Sequence, residues 1–154
     1  MQPLFRWLGR WWPPLLWAAV ISLFSTYLFS SDRTSRVIIP ILHWLLPRAT
    51  PDMLAEIHHL IRKSGHFIEY FILGWSILRS FRAGRVDLRF AWIAWTILIV
   101  ACYASLDEFH QSFVPRRTPA VRDVLIDTSG GIAAQTVAAL AWLPRRPRTR
   151  QPAT

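Results

Sequence analysis

The chain has 154 residues, a length that fits one domain, and its formal net charge is +9. Hydrophobic residues make up 53% and charged residues 18%, which is more apolar than an average soluble domain. Nine Trp and nine Phe fit a membrane protein, since Trp favours the headgroup level. The basic residues flank apolar runs and form no single stripe, so we exclude nucleic acid as a partner.

Four segments are predicted to span a membrane, because a helix needs about 20 apolar residues to cross it. The first is uncharged, and we expect it to stay uncleaved since its apolar part exceeds that of a signal peptide. The second is weaker because His66 and Glu69 lie in its first half. The predicted spans are residues 13–31, 64–78, 90–106 and 124–143.

The segment between the first two spans is predicted to contain an interfacial or re-entrant piece at 37–46, which is too short to cross. A short helix is expected at 51–63. Residues 1–144 are predicted to form a single all-α, polytopic membrane domain. Residues 145–154 form a basic, Pro-rich tail that is predicted to be disordered.

The distribution of Arg and Lys predicts that both termini are cytoplasmic. The short segments placed inside by that orientation are dense in Arg, and Asp87 is their only acid. The fourth span also contains Gly130, Ala134 and Ala138, and this spacing of small residues by four favours close approach of a neighbouring helix.

Ionisable residues gather where spans two, three and four meet the outer face. The stretch "SLDEFHQSF" closes the third span with two acids, a histidine and an amide. Charged groups in a span are costly and normally face a bundle interior or a wet cavity. The predicted cluster comprises Lys63, His66, Glu69, Tyr70, Asp107, Glu108, His110, Gln111, Asp123 and Asp127.

Simpler roles remain open for some of these residues. Asp107 and Glu108 could end a helix in water, although acids at a helix C-terminus oppose the macrodipole. Asp123 could be an N-cap. His66 and Glu69 could form a structural hydrogen-bonded pair.

Three blocks, "KSGHFIEYFILG", "YASLDEFHQSFVPRR" and "RTPAVRDVLIDTSGG", occur in order over about residues 63 to 131. Together they resemble the motifs of the VanZ-like family, named for a protein associated with resistance to the glycopeptide teicoplanin. Arg116 stands where Gly is common, and Asp127 where Asn is frequent. By this match the motif positions are Lys63, His66, Glu69, Asp107, Glu108, His110, Gln111, Arg117, Asp123, Asp127 and Gly130.

The resemblance implies a small multi-pass protein of the bacterial cytoplasmic membrane, without supplying a reaction. One hypothesis is hydrolysis or group transfer on an envelope lipid or lipid-linked substrate. Lys63, Tyr70, Gln111 and Arg117 would then bind the substrate, with Lys63 and Arg117 holding an anionic headgroup. The predicted acid–base residues are His66, Glu69, Asp107, Glu108, His110, Asp123 and Asp127.

Three further points stay open at this stage. A divalent metal is compatible with imidazole and carboxylate ligands, although there is no HExxH pair. The same pocket could instead bind or shield a glycopeptide or an envelope precursor without chemistry. An ion-coupled transporter is a weaker alternative, because the acids do not continue to the cytoplasmic leaflet.

Overall fold

The computed structural model describes residues 2–26, 30–85, 87–114 and 120–142. Within these ranges the chain is all-helical, as predicted, and it forms five helices and no strand. The predicted tail at 145–154 lies outside them. The helices are α1 (Gln2–Phe24), α2 (Ser31–Leu45), α3 (Pro51–Arg82), α4 (Phe90–Gln111) and α5 (Val121–Trp142).

The helix boundaries differ from all four predicted spans: α4 continues past residue 106 to Gln111, and α5 begins at Val121 instead of 124. α1 starts well before the predicted first span and ends at Phe24. The short helix expected at 51–63 and the span at 64–78 are a single helix, α3, because no Pro lies between Pro51 and Arg82. Thr50 caps its N-terminus, with its side chain accepting a hydrogen bond from the Met53 N–H.

By length and composition, α4 and α5 can cross a membrane, which indicates a membrane protein. In the described part of the chain, α1 and α3 do not meet the same criterion, so two of the four predicted spans are supported. The outer faces of α4 and α5 are apolar: Leu98, Leu125 and Leu140 are all exposed. Cys102 also lies exposed on α4.

Side-chain contacts define the direction of each helix in the bundle. Trp17 donates to the Glu69 carbonyl (2.8 Å) and Ser80 to the Arg10 carbonyl (2.7 Å), so α1 and α3 are antiparallel. Tyr103 donates to the Ala18 carbonyl (2.6 Å). Ser25, further along α1, contacts Asp107, further along α4, so these two helices are parallel. α3 and α5 are likewise parallel and run the other way, because Lys63 pairs with Asp123 and the later Gly74 carbonyl accepts from Gln135. The core between them comprises Ile21, Tyr70, Leu73, Ile77, Val100 and Ala104.

The closest helix pair is α3 and α5, and glycines make its approach possible. A Cβ added to Gly130 would collide with the Phe67 carbonyl, and one added to Gly74 would lie 3.1 Å from the Gly131 Cα. Ala134 and Ala138 are also buried. The small-residue spacing predicted to allow close packing is confirmed.

α2 folds back against the first half of α3. Leu42 and Leu54 are buried, and the Thr34 hydroxyl lies 3.2 Å from His58 Nε2. The predicted interfacial piece at 37–46 is thus most of a continuous helix, in spite of Pro40. We call α2 with the first turns of α3 (residues 31–62) the helical hairpin.

The helical hairpin is expected to lose stability in acid because of His58. The pKa of His58 is lowered from 6.5, first by burial and then by the charge of Arg62 and the neighbouring His59. The unfolded chain binds this proton more readily, so stability is complete above pH 6.5 and falls as the pH drops below it. Hydrogen exchange of the α2 amides between neutral and mildly acidic pH measures this loss.

His59→Gln is the matched control, because His59 is the exposed neighbour of His58. His58→Gln should flatten the pH dependence, whereas His59→Gln should keep most of it, because burial and Arg62 are the larger causes of the lowered pKa of His58. An unchanged dependence in His58→Gln would assign the effect to another group.

Candidate functional site

The predicted polar cluster lies at one end of the bundle, where α3, α4 and α5 meet. Two pairs join α3 to α5. Lys63 forms an ion pair with Asp123, and His66 Nδ1 lies 3.6 Å from Asp127 Oδ1. α3 and α5 run parallel at this point. Lys63 and His66, about one turn apart on α3, therefore face Asp123 and Asp127, one turn apart on α5.

Asp127 is the most deeply placed acid of the cluster. Its side chain is 0% exposed, while that of His66 is 17% exposed. Among the described residues neither of its carboxylate oxygens has a hydrogen-bond partner. Burying a carboxylate without hydrogen bonds costs free energy. Such unfavourable burial is typical of functional sites. Asp127 interacts electrostatically with four other acids: Asp107, Glu108, Asp123 and Glu69.

Asp107 is held by two side chains. The Ser25 hydroxyl of α1 donates to Asp107 Oδ2 (2.7 Å), and Gln111 Nε2 donates to the same oxygen (2.8 Å). All three side chains are buried. Ser25 was missed from the sequence, where the only signal is the string of hydroxyl residues in "FSTYLFSS".

Ser25→Ala is expected to lower the free energy of unfolding by about 1–2 kcal/mol, because it leaves the buried Asp107 with one donor fewer. Thermal unfolding of the detergent-solubilised protein measures the change. Ser129→Ala is the control, since the exposed Ser129 hydroxyl bonds only the Ile126 carbonyl of its own helix. Equal losses in both variants would contradict the assigned role of Ser25.

Glu108 connects α4 to the start of α5. Its Oε2 accepts a hydrogen bond from the Ala120 N–H at 2.9 Å, directly before α5. Its Oε1 is buried, with no hydrogen-bond partner in the described ranges. Asp107 and Glu108 therefore do not end α4 in water; both face protein, which offsets their unfavourable position at a helix C-terminus.

Two tyrosines, Tyr70 and Tyr103, lie where the acids meet the apolar core. Tyr103 bonds α1 through Ala18 and Ser22, the latter at 2.8 Å. Tyr70 is fully buried, and its hydroxyl has no hydrogen-bond partner within the described part of the chain. Tyr70 also interacts electrostatically with Asp107 and Asp127, so its hydroxyl belongs to the polar cluster.

The remaining predicted site residues have different positions. Glu69 is half-buried and interacts electrostatically with Asp127. His110 is exposed on α4, and its side chain makes no ion pair with an acid of the described residues. Arg117 lies outside the described residues. Over those residues, no group of three or more His, Cys, Asp and Glu is arranged to hold a metal ion. The divalent metal considered from the sequence stays an untested prediction.

Comparison with known proteins supports the resemblance seen in the three sequence blocks. Residues 11–142 match the model of the VanZ/LLP1 family. The chain belongs to the VanZ/LLP1 family. The match runs from α1 to the end of α5 and contains every candidate site residue. No curated protein and no solved structure gives a significant match. Family membership thus rests on most of the chain, whereas the chemistry of this VanZ/LLP1 protein rests on its own residues.

Proposed function

We propose that this protein acts on an envelope lipid or a lipid-linked substrate, by hydrolysis or group transfer, at a buried polar site near the outer membrane face. His66 and Asp127 form the centre of that site. The proposal includes four membrane spans, α1, α3, α4 and α5, with both termini inside a bacterial cytoplasmic membrane.

The observation that carries the proposal is the pair formed by His66 and Asp127. A fully buried carboxylate without a hydrogen-bond donor stands beside an imidazole that keeps partial access to the outside. An imidazole beside a carboxylate is an arrangement suited to general acid–base chemistry. A substrate hydroxyl or a water molecule reaching His66 could then lose or gain a proton there.

The neighbouring groups suit an anionic substrate at the membrane surface. Lys63 is partly exposed and stands one turn nearer than His66 to the start of α3. It and Arg117 are the cations that would hold a phosphate or carboxylate. Glu108 Oε1 and the Tyr70 hydroxyl, which have no hydrogen-bond partner among the described residues, are further groups for hydrogen bonds to the substrate.

The four-span topology is supported by where the polar residues of α3 lie. His66 and Tyr70 face α5 and the core, whereas Ile68 and Ile72 are exposed. α3 can therefore present an apolar face to lipid while its ionisable residues are enclosed, as charged groups in a span require. α1 packs antiparallel to α3 over the same length.

The test is a reaction screen with the purified full chain in phospholipid vesicles. Candidate substrates are phospholipids and polyprenyl-linked phosphates, and mass spectrometry follows both products and unchanged bound lipid. We expect a product that forms catalytically with one substrate class. Stoichiometric retention of an unchanged lipid, with no product, would overturn the catalytic proposal.

A binding or shielding role linked to glycopeptide resistance is the second candidate, and one observation favours it. Lys63 is already paired with Asp123, and Asp107 already accepts bonds from Ser25 and Gln111. Several nominated side chains thus have structural partners and need not react. A binder of this kind would hold teicoplanin or its lipid-linked target in the vesicle assay and release no product.

A further inference from the structure

A second surface of interest lies at the opposite end of the bundle. A cavity of about 560 Å³ opens between α1 and α3. An adjoining cavity of about 390 Å³ shares Trp75, Arg79 and Gly84 with it and extends to Trp142 of α5. We call the two together the basic groove. Its polar and aromatic walls include Arg10, Trp12, Trp75, Arg79, Arg85 and Trp142.

The basic groove is distinct from the polar cluster around His66 and Asp127. Arg79 and His66 are on the same helix, 13 residues apart by number, which corresponds to about 20 Å along its axis. None of the cluster residues lines either cavity. In the four-span topology of the proposed function, on which this step rests, the groove therefore lies toward the membrane face opposite that of His66.

The charge of the groove is positive and largely uncompensated. Arg10 and Arg79 are exposed, and neither has an ion pair in the described ranges. The acid closest in sequence, Asp87, pairs with Arg89 at 3.3 Å. Arg82 stacks over the Trp142 ring at 3.6 Å. Arg85 lies over the Trp92 ring at 5.8 Å. Arg10 and Arg79 are thus left to attract an anion.

The walls of the groove are held in place without a ligand. The Ser80 hydroxyl lies 2.7 Å from the Arg10 carbonyl of α1 and 2.9 Å from the Ser76 carbonyl of its own helix, and it shares its one hydrogen between them. Trp11 packs edge-on against Phe81 at 5.1 Å. α3 then ends in a left-handed turn, in which Ala83 has φ 51° and its N–H bonds the Arg79 carbonyl. A binding site formed in advance loses less entropy when its ligand arrives.

We propose that the basic groove binds the phosphate headgroup of an anionic membrane lipid. Arg guanidinium groups match phosphate oxygens bidentately. Trp12 is 57% exposed beside the cavity, as expected of a ring at headgroup level. Leu16, one turn further along α1, and Ile72 of α3 are exposed apolar residues along which an acyl chain would lie. Basic pockets between membrane helices are suited to such headgroups.

Native mass spectrometry of the detergent-solubilised full chain tests the proposal with phosphatidylglycerol and phosphatidylcholine as probes. The wild type should bind one phosphatidylglycerol in preference to phosphatidylcholine. Arg10→Gln/Arg79→Gln should weaken that binding roughly tenfold or more. Arg36→Gln/Arg48→Gln removes the same charge from exposed positions outside the groove and should leave binding unchanged.

A second pair of variants tests the groove without changing charge. Gly9 lines the cavity, and a Cβ there would meet no atom within 4 Å, so Gly9→Leu should fill the groove and weaken phosphatidylglycerol binding. Gly65→Leu is the control, since Gly65 has equal space and lies away from the groove. Equal lipid loss in variants and controls, no preference for phosphatidylglycerol, or displacement by inorganic phosphate alone would overturn the proposal.

Discussion

Replacing His66 with alanine is expected to lower the turnover of the lipid substrate by about 10²–10⁴-fold, the usual contribution of a positioned acid or base. His66 is the histidine that contacts a buried carboxylate in the described structure, through Asp127 at 3.6 Å. Removal of the imidazole leaves the site without its central proton carrier. The loss should appear in the rate of product formation measured by mass spectrometry.

His110→Ala is the matched control for this prediction. Both histidines belong to the sequence motifs, but His110 is exposed on α4, so its replacement should change turnover by less than about threefold. Asp127→Asn keeps the shape of the side chain and removes its charge, and it should also lower turnover strongly. Equal effects of the two histidine variants would contradict a reaction centred on His66 and Asp127.

Replacing Gly130 with alanine is expected to lower the free energy of unfolding by about 3 kcal/mol, the upper part of the usual range for overpacking. The added Cβ would collide with the Phe67 carbonyl, which is backbone and cannot turn aside as a flexible side chain would. α3 and α5 must then separate. Equilibrium unfolding in detergent micelles, followed by helical circular dichroism, measures the loss.

Gly65→Ala is the control, because Gly65 lies in a helix and a Cβ there meets nothing within 4 Å. In a helix interior, exchange of Gly for Ala stabilises by about 1 kcal/mol, so the two variants should shift in opposite directions. A loss of stability in both, or in neither, would show that the α3–α5 contact is less tight than described.

Much of the architecture could be predicted from local patterns. α4 opens with a long uncharged run over residues 90–106, and its start at Phe90 coincides with the start of the predicted third span, because Arg89 and the apolar residues after it mark a clear boundary. The continuity of α3 was not foreseen, since its charged first half and apolar second half resemble two separate elements. No proline divides the two halves, and the backbone stays helical through residues 63–66.

The composition of the site was easier to predict than its pairing. Convergence of the polar residues follows from the order of the helices, which sequence patterns show. The choice of Asp123 for Lys63 and Asp127 for His66 depends on the axial register of α3 against α5. Gly74, Gly130 and Gly131 determine that register through contacts between distant parts of the chain. The role of Ser25 likewise requires knowing that α1 lies beside α4.

The unbroken course of α3 has a mechanical consequence. Its 32 residues extend over about 48 Å, which exceeds the thickness of a hydrocarbon core of about 30 Å. One continuous helix therefore carries, at successive heights, the helical hairpin, then Lys63 and His66, and then Arg79. A displacement of the hairpin that tilts α3 would therefore also change the positions of Lys63 and His66 relative to their carboxylate partners on α5.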